Sequence, residues 1–330
     1  MVKKKLIILT GPTAVGKTEL SIRLAKAVDG EIISADSMQV YRGMDVGTAK
    51  IMPDEMNGVP HYLVDCMEPT DDFNVTEFQR MAKSAMKNIY ANGHIPIIVG
   101  GTGFYIQSVL YDIEFDSHIS KENIEVNDSG ADEEYRQSLR LIAQEQGAEY
   151  LHNMLRQVDS ASAEAIHANN IKRVIRALEY YKLTGKPISA HNEEQRRNES
   201  PYNYVYFVLN DDRDILYSRI DQRVDIMFEN GLEEEVKRLI DSGLTRNMVS
   251  MQGIGYKEMF GYFDKEYDLE RAKYLIKQDT RHFAKRQLTW FRREQNVCWM
   301  NYQDYNSSKD KMLEAMLLEL EKKGIYDGRY

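Results

Sequence analysis

The stretch LIILTGPTAVGKTEL, residues 6–20, decides the fold. It joins a short apolar run to a turn of the pattern G-x-x-x-x-G-K-T, residues 11–18, and then to an amphipathic segment. This spacing is that of the phosphate-binding loop, which lies between a strand and a helix and directs backbone N–H groups at phosphate oxygens. The sequence therefore predicts a strand over 5–9, a helix over 18–28 and a phosphate group between them.

Every residue of this loop is a candidate for contact with the phosphates. The set is Gly11, Pro12, Thr13, Ala14, Val15, Gly16, Lys17 and Thr18. Lys17 would add a positive charge, and the Thr18 hydroxyl would bind Mg²⁺. The motif leaves open whether the phosphate is the group transferred, as in a kinase, or the leaving group.

Composition and length are those of a soluble globular protein. The chain has 330 residues, of which 42% are hydrophobic and 29% charged. Its two cysteines are far apart and match no metal-site spacing, which suits a reducing compartment. No apolar run approaches the about 18 residues that span a bilayer. We predict a cytoplasmic protein without a membrane segment, acting as a monomer.

The charge is unevenly distributed. A net charge of −9 argues against a nucleic-acid partner, because nucleic-acid phosphates favour basic surfaces. Basic residues are nevertheless concentrated in two segments, 172–186 and 271–293, which both have helical periodicity. Charge alone does not separate an anion-binding surface from solvated helix faces, so both interpretations stay open.

Four apolar runs are typical of core strands: residues 5–9, 31–34, 95–99 and 204–209. Helical patterns separate them, including residues 75–92 and 103–110, which favours an α/β fold with a parallel sheet flanked by helices, as in P-loop NTPases. Residues 134–191 have helical patterns throughout and indicate an all-helical insertion, preceded by a polar loop over 112–134. We expect a discontinuous core of residues 1–114 and 200–305, an insertion of 115–199, and a C-terminal helix and tail of 306–330.

Two further segments follow predicted strands and are expected at the same edge of the sheet. Asp36 follows the second run, and Gly-Gly-Thr-Gly, residues 100–103, follows the third. Ligands of open α/β sheets bind at the carboxyl ends of the strands. Asp36 is a candidate base, metal ligand or helix cap. The third run ends in glycine, where many phosphate-loop ATPases have an Mg²⁺-binding Asp, which favours phosphate as the leaving group.

The motifs GPTAVGKT, ISADSMQVYRGMDVGTAK, VGGTGFYI, NNIKRVIRALE, MQGIGYKE and AKRQLTWFR occur in this order. Their order and spacing resemble those of tRNA dimethylallyltransferases, also called tRNA isopentenyltransferases, over residues 6–292. The resemblance implies transfer of a dimethylallyl group from dimethylallyl diphosphate to the exocyclic amine of the adenosine immediately 3′ of the anticodon. It also implies Mg²⁺ as cofactor and the tRNA anticodon stem-loop as partner.

The resemblance assigns roles residue by residue. The loop and Arg223 would hold the diphosphate, with Lys17 counted as catalytic. Asp36 would accept the amine proton, and Thr102 would help place the adenine. The resemblance implies that two segments contact tRNA. The first comprises Asp36, Ser37, Met38 and Gln39, and Thr102 is implied to contact tRNA beside it. The second comprises Lys172, Arg173, Val174, Ile175 and Arg176. The chain departs from the family pattern at His61, in IHANN (166–170) and over 115–132.

Two rival functions of other kinds remain at this point, besides an enzyme that prenylates free adenine nucleotides and would leave the basic helical insertion without a role. A small-molecule or nucleotide kinase uses the same loop on ATP. A nucleotide-gated RNA-binding protein would combine the loop with the basic helices and perform no chemistry. Transfer of a labelled prenyl group or a labelled phosphate to tRNA separates these possibilities.

Overall fold

The computed structural model describes residues 3–115, 129–196 and 198–328. The chain forms two compact units. The first, here the α/β unit, comprises Met1–Leu110 and Pro201–Tyr330, and the second, the helical unit, comprises Tyr111–Ser200. Most of the predicted loop over 112–134 lies outside the described residues.

The α/β unit contains a six-stranded sheet whose strand pairs are all parallel. Its strands are β1 (Lys4–Thr10), β2 (Gly30–Ala35), β3 (His61–Tyr62), β4 (Ile95–Gly100), β5 (Tyr202–Asn210) and β6 (Val297–Asn301). Their order across the sheet is β3-β2-β4-β1-β5-β6. The four strands predicted from apolar runs are confirmed. Sequence reasoning missed the two edge strands, β3 because it is very short and β6 because a long helical pattern continues to within a few residues of it.

In the α/β unit single helices separate several of the strands and four consecutive helices lie between β5 and β6, whereas the described part of the helical unit contains helices only. In chain order the helices are α1 (Lys17–Val28), α2 (Val75–Ala91), α3 (Gly103–Leu110), α4 (Ser129–Glu145), α5 (Ala148–Val158), α6 (Ser160–Ala165), α7 (Ile171–Thr184), α8 (Ile188–Arg196), α9 (Arg213–Glu229), α10 (Leu232–Asp241), α11 (Tyr256–Phe263), α12 (Leu269–Phe291) and α13 (Lys309–Lys322). The predicted fold class, a phosphate-loop sheet with an all-helical insertion, is confirmed.

Strand β1 lies inside the sheet, between β4 and β5, and positions the phosphate-binding loop. Its residues Leu6, Ile7, Ile8 and Leu9 have no solvent exposure. Parallel strands covered on both faces are apolar at every position, and this explains the unbroken run LIIL. The buried strand therefore gives the loop that follows it a rigid base.

The helical unit has its own apolar core, built from α4, α5, α6 and α7. Leu139, Leu151, Leu155 and Val174 are fully buried in it. The amphipathic pattern over 134–158 is interrupted at Gly147, whose φ of 89° places it outside a helix, and α5 starts at the next residue. In the part of the chain that the structure describes, no helix combines the length and apolar character needed to cross a lipid bilayer.

Candidate active site

The phosphate-binding loop joins β1 to α1, with Gly11 and Gly16 at its turns. Their φ values are 148° and 95°, a region that favours glycine. Space is also restricted: a Cβ at Gly11 would lie 2.6 Å from the carbonyl oxygen of Leu209, and one at Gly16 would lie 2.9 Å from the hydroxyl of Tyr302. Gly16 is the N-cap of α1, so the helix dipole points into the loop.

Lys17 closes back on the loop. Its Nζ donates to the carbonyl oxygens of Gly11 at 3.0 Å and Pro12 at 2.9 Å. The pKa of the Lys17 ammonium is lowered to about 8, chiefly by burial and also by the positive charge of Arg223, while Asp36 opposes the change. Lys17 is therefore a cation whose charge is poorly compensated by the protein itself.

Arg223 reaches the same loop from α9. Its Nη1 lies 3.4 Å from the Thr13 hydroxyl, at the long limit of a hydrogen bond. Burial lowers the pKa of the Arg223 guanidinium, and Asp36 opposes this effect. Neither Lys17 nor Arg223 forms an ion pair with a residue in the described ranges. Two cations thus converge on the loop.

Asp36 directly follows β2 and begins a tight turn. Its Oδ1 accepts the backbone N–H groups of Met38 at 2.9 Å and Gln39 at 3.3 Å. Its Oδ2 accepts no hydrogen bond from a described residue. One carboxylate oxygen therefore fixes the turn, which matches the cap interpretation, while the other is available to a ligand.

Thr102 lies beside Asp36 because β2 and β4 are paired. Ala35 is in register with Gly100, and a Cβ at Gly100 would lie 2.3 Å from the carbonyl oxygen of Ala35. The Thr102 N–H donates to that same carbonyl oxygen at 3.2 Å. The glycine at the end of β4 therefore permits the approach that sets Thr102 next to Asp36, as expected for neighbouring strand ends.

The segment after Asp36 is held by backbone contacts. Gln39 Nε2 donates to the carbonyl oxygens of Thr48 at 3.3 Å and Ala49 at 3.2 Å. Met38 packs against Gly253, where a Cβ would lie 2.9 Å from the Met38 sulfur. Ser37, Met38 and Gln39 are all partly exposed, so each remains accessible to a ligand.

Sequence reasoning missed Glu235, which supports the chain after this segment. Its carboxylate accepts the backbone N–H groups of Asp45 at 2.8 Å, Val46 at 2.8 Å and Gly47 at 3.0 Å, and the hydroxyl of Tyr256 at 2.7 Å. Glu235 ends the acidic run LEEE, residues 232–235, and a run of charges is more typical of a solvated surface than of a buried one. The helical spacing of the apolar residues of α10 would have placed Glu235 on the buried face.

A second missed residue, Gln287 of α12, contacts both loops of the site. Its Oε1 accepts the Thr13 N–H at 2.9 Å, and its Nε2 donates to the Gly101 carbonyl oxygen at 3.0 Å. The motif AKRQLTWFR contains it, but the neighbouring basic residues directed the sequence interpretation to charge. The signal available was its place on the buried stripe of α12 with Ala284 and Phe291.

The residues of the helical unit that are predicted to contact tRNA fall into two groups, one exposed to solvent and one buried. Lys172, Arg173 and Arg176 are exposed on α7, and their side chains form no ion pair with a described residue. Val174 and Ile175 are buried in the helical core. The face that α7 presents to solvent is therefore basic, and the two apolar residues support it from beneath.

The donors available to a metal are few. Among the described residues, no cluster of His, Cys, Asp or Glu side chains is arranged to hold an ion. Thr18, the second residue of α1, is exposed. One hydroxyl beside a phosphate loop fits Mg²⁺, which usually keeps its waters and takes its remaining ligands from substrate phosphates.

These features define a phosphate-loop α/β protein. A glycine-rich loop joins β1 to α1, two cations converge on it, and a carboxylate follows the end of β2. The family model described as IPP transferase matches residues 39–294. A tRNA dimethylallyltransferase of Lachnoclostridium phytofermentans is 60% identical over 97% of this chain and 99% of its own, and one of Bacillus cytotoxicus is 50% identical over 92% of each. The chain therefore belongs to the IPP transferase family.

Solved structures agree with this assignment. The full-length tRNA isopentenylpyrophosphate transferase of Bacillus halodurans is 44% identical, covers 98% of both chains and superposes with a TM-score of 0.69. A eukaryotic dimethylallyltransferase, described as acting on tRNA, is 28% identical over 98% of this chain and 79% of its own, with a TM-score of 0.80. The fold is thus shared over nearly the entire chain.

Proposed function

We propose that the protein transfers a dimethylallyl group from dimethylallyl diphosphate to the exocyclic amine of the adenosine immediately 3′ of the tRNA anticodon, with diphosphate as the leaving group. Membership of the IPP transferase family and the names of the relatives support this activity. One chain carries every residue invoked, which favours a monomer, and the tRNA substrate favours the cytoplasm.

The observation that carries the proposal is the pair of cations at the loop. Lys17 and Arg223 approach each other without a protein ion-pair partner, at a cost that burial increases. A diphosphate in the loop would compensate both charges and accept the backbone N–H groups as well. These donors would stabilise the negative charge that develops on the diphosphate as the allylic carbon–oxygen bond breaks.

Asp36 and Thr102 are proposed to act on the adenine. The adenine amine is a weak nucleophile, and a carboxylate that receives its proton assists the attack on carbon. Oδ1 of Asp36 is engaged by the turn, so Oδ2 is the oxygen proposed to accept this proton. The partly exposed Thr102, held beside Asp36 through the Ala35 carbonyl oxygen, would orient the base.

Mg²⁺ is the proposed cofactor. Thr18 would provide its protein ligand, together with diphosphate oxygens, and the ion would neutralise charge on the leaving group.

The tRNA would be held through its phosphates. On α7, the exposed Lys172, Arg173 and Arg176 supply positive charge. On α12 and just after it, basic side chains together with Thr289 and Trp290 line a shallow cavity of about 450 Å³. The cavity is lined by His282, Lys285, Arg286, Thr289, Trp290 and Arg293. Basic side chains contacting phosphates fix the position of an RNA without reading its sequence.

The rival functions are less well supported. The family assignment disfavours a kinase, and β4 ends in Gly100 instead of an Mg²⁺-binding carboxylate. An RNA-binding protein without chemistry would leave the carboxylate oxygen of Asp36 beside the cation pair without a role.

One experiment separates all three functions. Unmodified tRNA is incubated with the protein, dimethylallyl diphosphate carrying a labelled prenyl group, and ATP carrying a labelled γ-phosphate. We expect the prenyl label on one adenosine of the tRNA and no phosphate transfer. Phosphate transfer from ATP would support the kinase, and tRNA binding without transfer of either label would support the binding protein.

A further inference from the structure

Gln287 is a buried amide on a helix face that otherwise packs apolar and small residues. It is 6% exposed, and the residues buried on the same helix are Ala272, Ile276, Ala284 and Phe291. Burying an amide is unfavourable unless both of its polar ends are hydrogen-bonded. Both ends of Gln287 are bonded, and each bond goes to a different loop of the site.

The two bonds specify an amide in one orientation. Oε1 accepts from the Thr13 N–H at 2.9 Å, and Nε2 donates to the Gly101 carbonyl oxygen at 3.0 Å. If the amide were rotated by 180°, its NH₂ group would face the Thr13 N–H, a donor against a donor. Its oxygen would then face the Gly101 carbonyl oxygen, an acceptor against an acceptor. A side chain without both a donor and an acceptor leaves at least one of these two partly buried backbone groups without its partner.

The glycines of the second loop allow this approach. A Cβ at Gly101 would lie 2.1 Å from the Gln287 Nε2, and one at Gly103 would lie 2.2 Å from the Trp290 ring. Gln287 and Trp290 are three residues apart and lie on the same face of α12. The turn that carries Thr102 is therefore in close contact with α12 on both sides of that residue.

We propose that Gln287 is a positioning residue that fixes the separation between the phosphate-binding loop and the Thr102 turn. In the proposed function, which this inference deepens, the first loop holds the diphosphate and the second holds the adenine. The amide thereby sets the distance between the electrophilic carbon and the attacking amine. Thr13 links it to Arg223 as well, because the Thr13 backbone contacts Gln287 and its hydroxyl contacts Arg223.

Such a residue affects the rate of transfer more than the binding of either substrate. Each loop retains its own ligand contacts when the link is removed, so each affinity is largely kept. The alignment of the two reactants is lost, and a displacement of about 1 Å can lower a rate by about 10²-fold.

The test uses Gln287→Met in the full-length protein, a change that keeps length and apolar volume but removes both hydrogen bonds. We expect the single-turnover rate at saturating tRNA and dimethylallyl diphosphate to fall by about 10- to 100-fold. The dissociation constants of both substrates should change by less than about threefold, since neither ligand touches the amide in the proposed arrangement. Gln278→Met is the matched control, because Gln278 lies on the same helix and its amide hydrogen-bonds, among the described residues, to the Tyr274 hydroxyl at 3.4 Å and not to either loop of the site.

Gln287→Glu provides a second, independent measurement. A protonated carboxyl can accept from Thr13 and donate to Gly101, whereas a carboxylate can only accept. The ratio of its transfer rate to that of the wild type should therefore rise as pH falls from 8 to 5.5, and this ratio decides the matter if the Met variant does not fold.

Three results would overturn the inference: a wild-type single-turnover rate in Gln287→Met, a loss of substrate affinity that accounts for the entire rate loss, or a pH-independent ratio for Gln287→Glu. Absence of transfer by the wild-type protein would instead refute the proposed function.

Discussion

The α/β unit and the helical unit differ in how the side chains at their proposed ligand-binding surfaces are held. In the α/β unit, Lys50, Glu235 and Gln287 are buried and bonded to backbone groups. In the helical unit, Lys172, Arg173 and Arg176 are exposed above an apolar core. A buried, bonded side chain moves only if its partner loses a hydrogen bond, whereas exposed charges on long side chains rearrange freely. Chemistry needs the first arrangement, and holding a flexible phosphate backbone needs the second.

Buried polar groups of the helical unit serve its own fold. Asp159 accepts the Ser162 N–H at 2.9 Å and bonds the hydroxyls of Ser162 at 2.7 Å and Ser189 at 2.6 Å. Burial alone would raise the pKa of Asp159, but the hydrogen bonds from Ser189 and Ser162 hold it below its ordinary value. This network joins helices of the unit to one another and leaves the basic surface of α7 unconstrained.

The strongest test of this comparison between the two units is a substitution of Asp36. Asp36→Asn keeps the Oδ1 acceptor of the turn but cannot take up a proton, so we expect transfer to fall by about 10²- to 10⁴-fold. Dimethylallyl diphosphate affinity and melting temperature should remain near wild type, with exposed Asp54→Asn as the matched control. A collapse in diphosphate affinity would identify a metal ligand, and a loss of stability alone would identify a cap.

The next largest effect is expected at Lys17. Lys17→Ala removes a cation from the loop while the glycine-defined turn remains, so turnover at saturating tRNA should fall by about 10²- to 10³-fold. Steady-state kinetics with a parallel thermal melt measures the two effects separately. Activity within a few-fold of wild type would remove Lys17 from the mechanism.

Arg173 and Arg176 test the other half of the comparison. Arg173→Ala with Arg176→Ala should weaken tRNA binding and lower the slope of log affinity against log salt by about 0.7–0.9 for each lost phosphate contact. Dimethylallyl diphosphate binding should be unchanged. Arg156→Ala, an exposed arginine on α5, is the control. Unaltered tRNA affinity across the salt series would mean that α7 is a solvated face.

A smaller effect concerns pH. The pKa of Lys17 is lowered to about 8, so the ammonium predominates below pH 8 and is lost above it. Because the folded protein disfavours the charged form, the Lys17 ammonium lowers the free energy of unfolding below pH 8. This loss of stability disappears as the pH rises from 8 to 10.5, the ordinary pKa of a lysine.

Diphosphate binding should favour the charged form of Lys17. The titration of Lys17 should therefore leave the affinity for dimethylallyl diphosphate unchanged below pH 8. Above pH 8 it should lower this affinity by up to about tenfold per pH unit. Calorimetry at pH 8.5 in buffers of different ionisation enthalpy should detect proton uptake on binding. The same measurement on Lys17→Ala should show none, and equal uptake in both proteins would assign the proton to another group.

The sequence predicted those parts of the molecule that depend on local pattern. The apolar run of β1, the glycines of the loop and the strand-end position of Asp36 each have a signal within a few residues. Contacts between distant segments have no such signal. Glu235 and Gln287 both lie on helices whose charged neighbours obscured a buried position, and the backbone groups that they bind are 186 to 274 positions away in sequence. The edge strand β6 was missed for a related reason, since only its pairing with β5 distinguishes it.

The distance between Thr13 and Gln287, 274 positions along the chain, has a consequence for biosynthesis. The loop and α1 leave the ribosome first, yet β5 completes the sheet around β1 only after the helical unit has been made, and α12 follows later still. Domains generally fold as units during synthesis, from the N-terminus onward. Here the helical unit is free to fold while the loop made before it still lacks its partners. A truncated translation product that ends before α12 therefore retains the complete loop motif but lacks the amide that anchors Thr13.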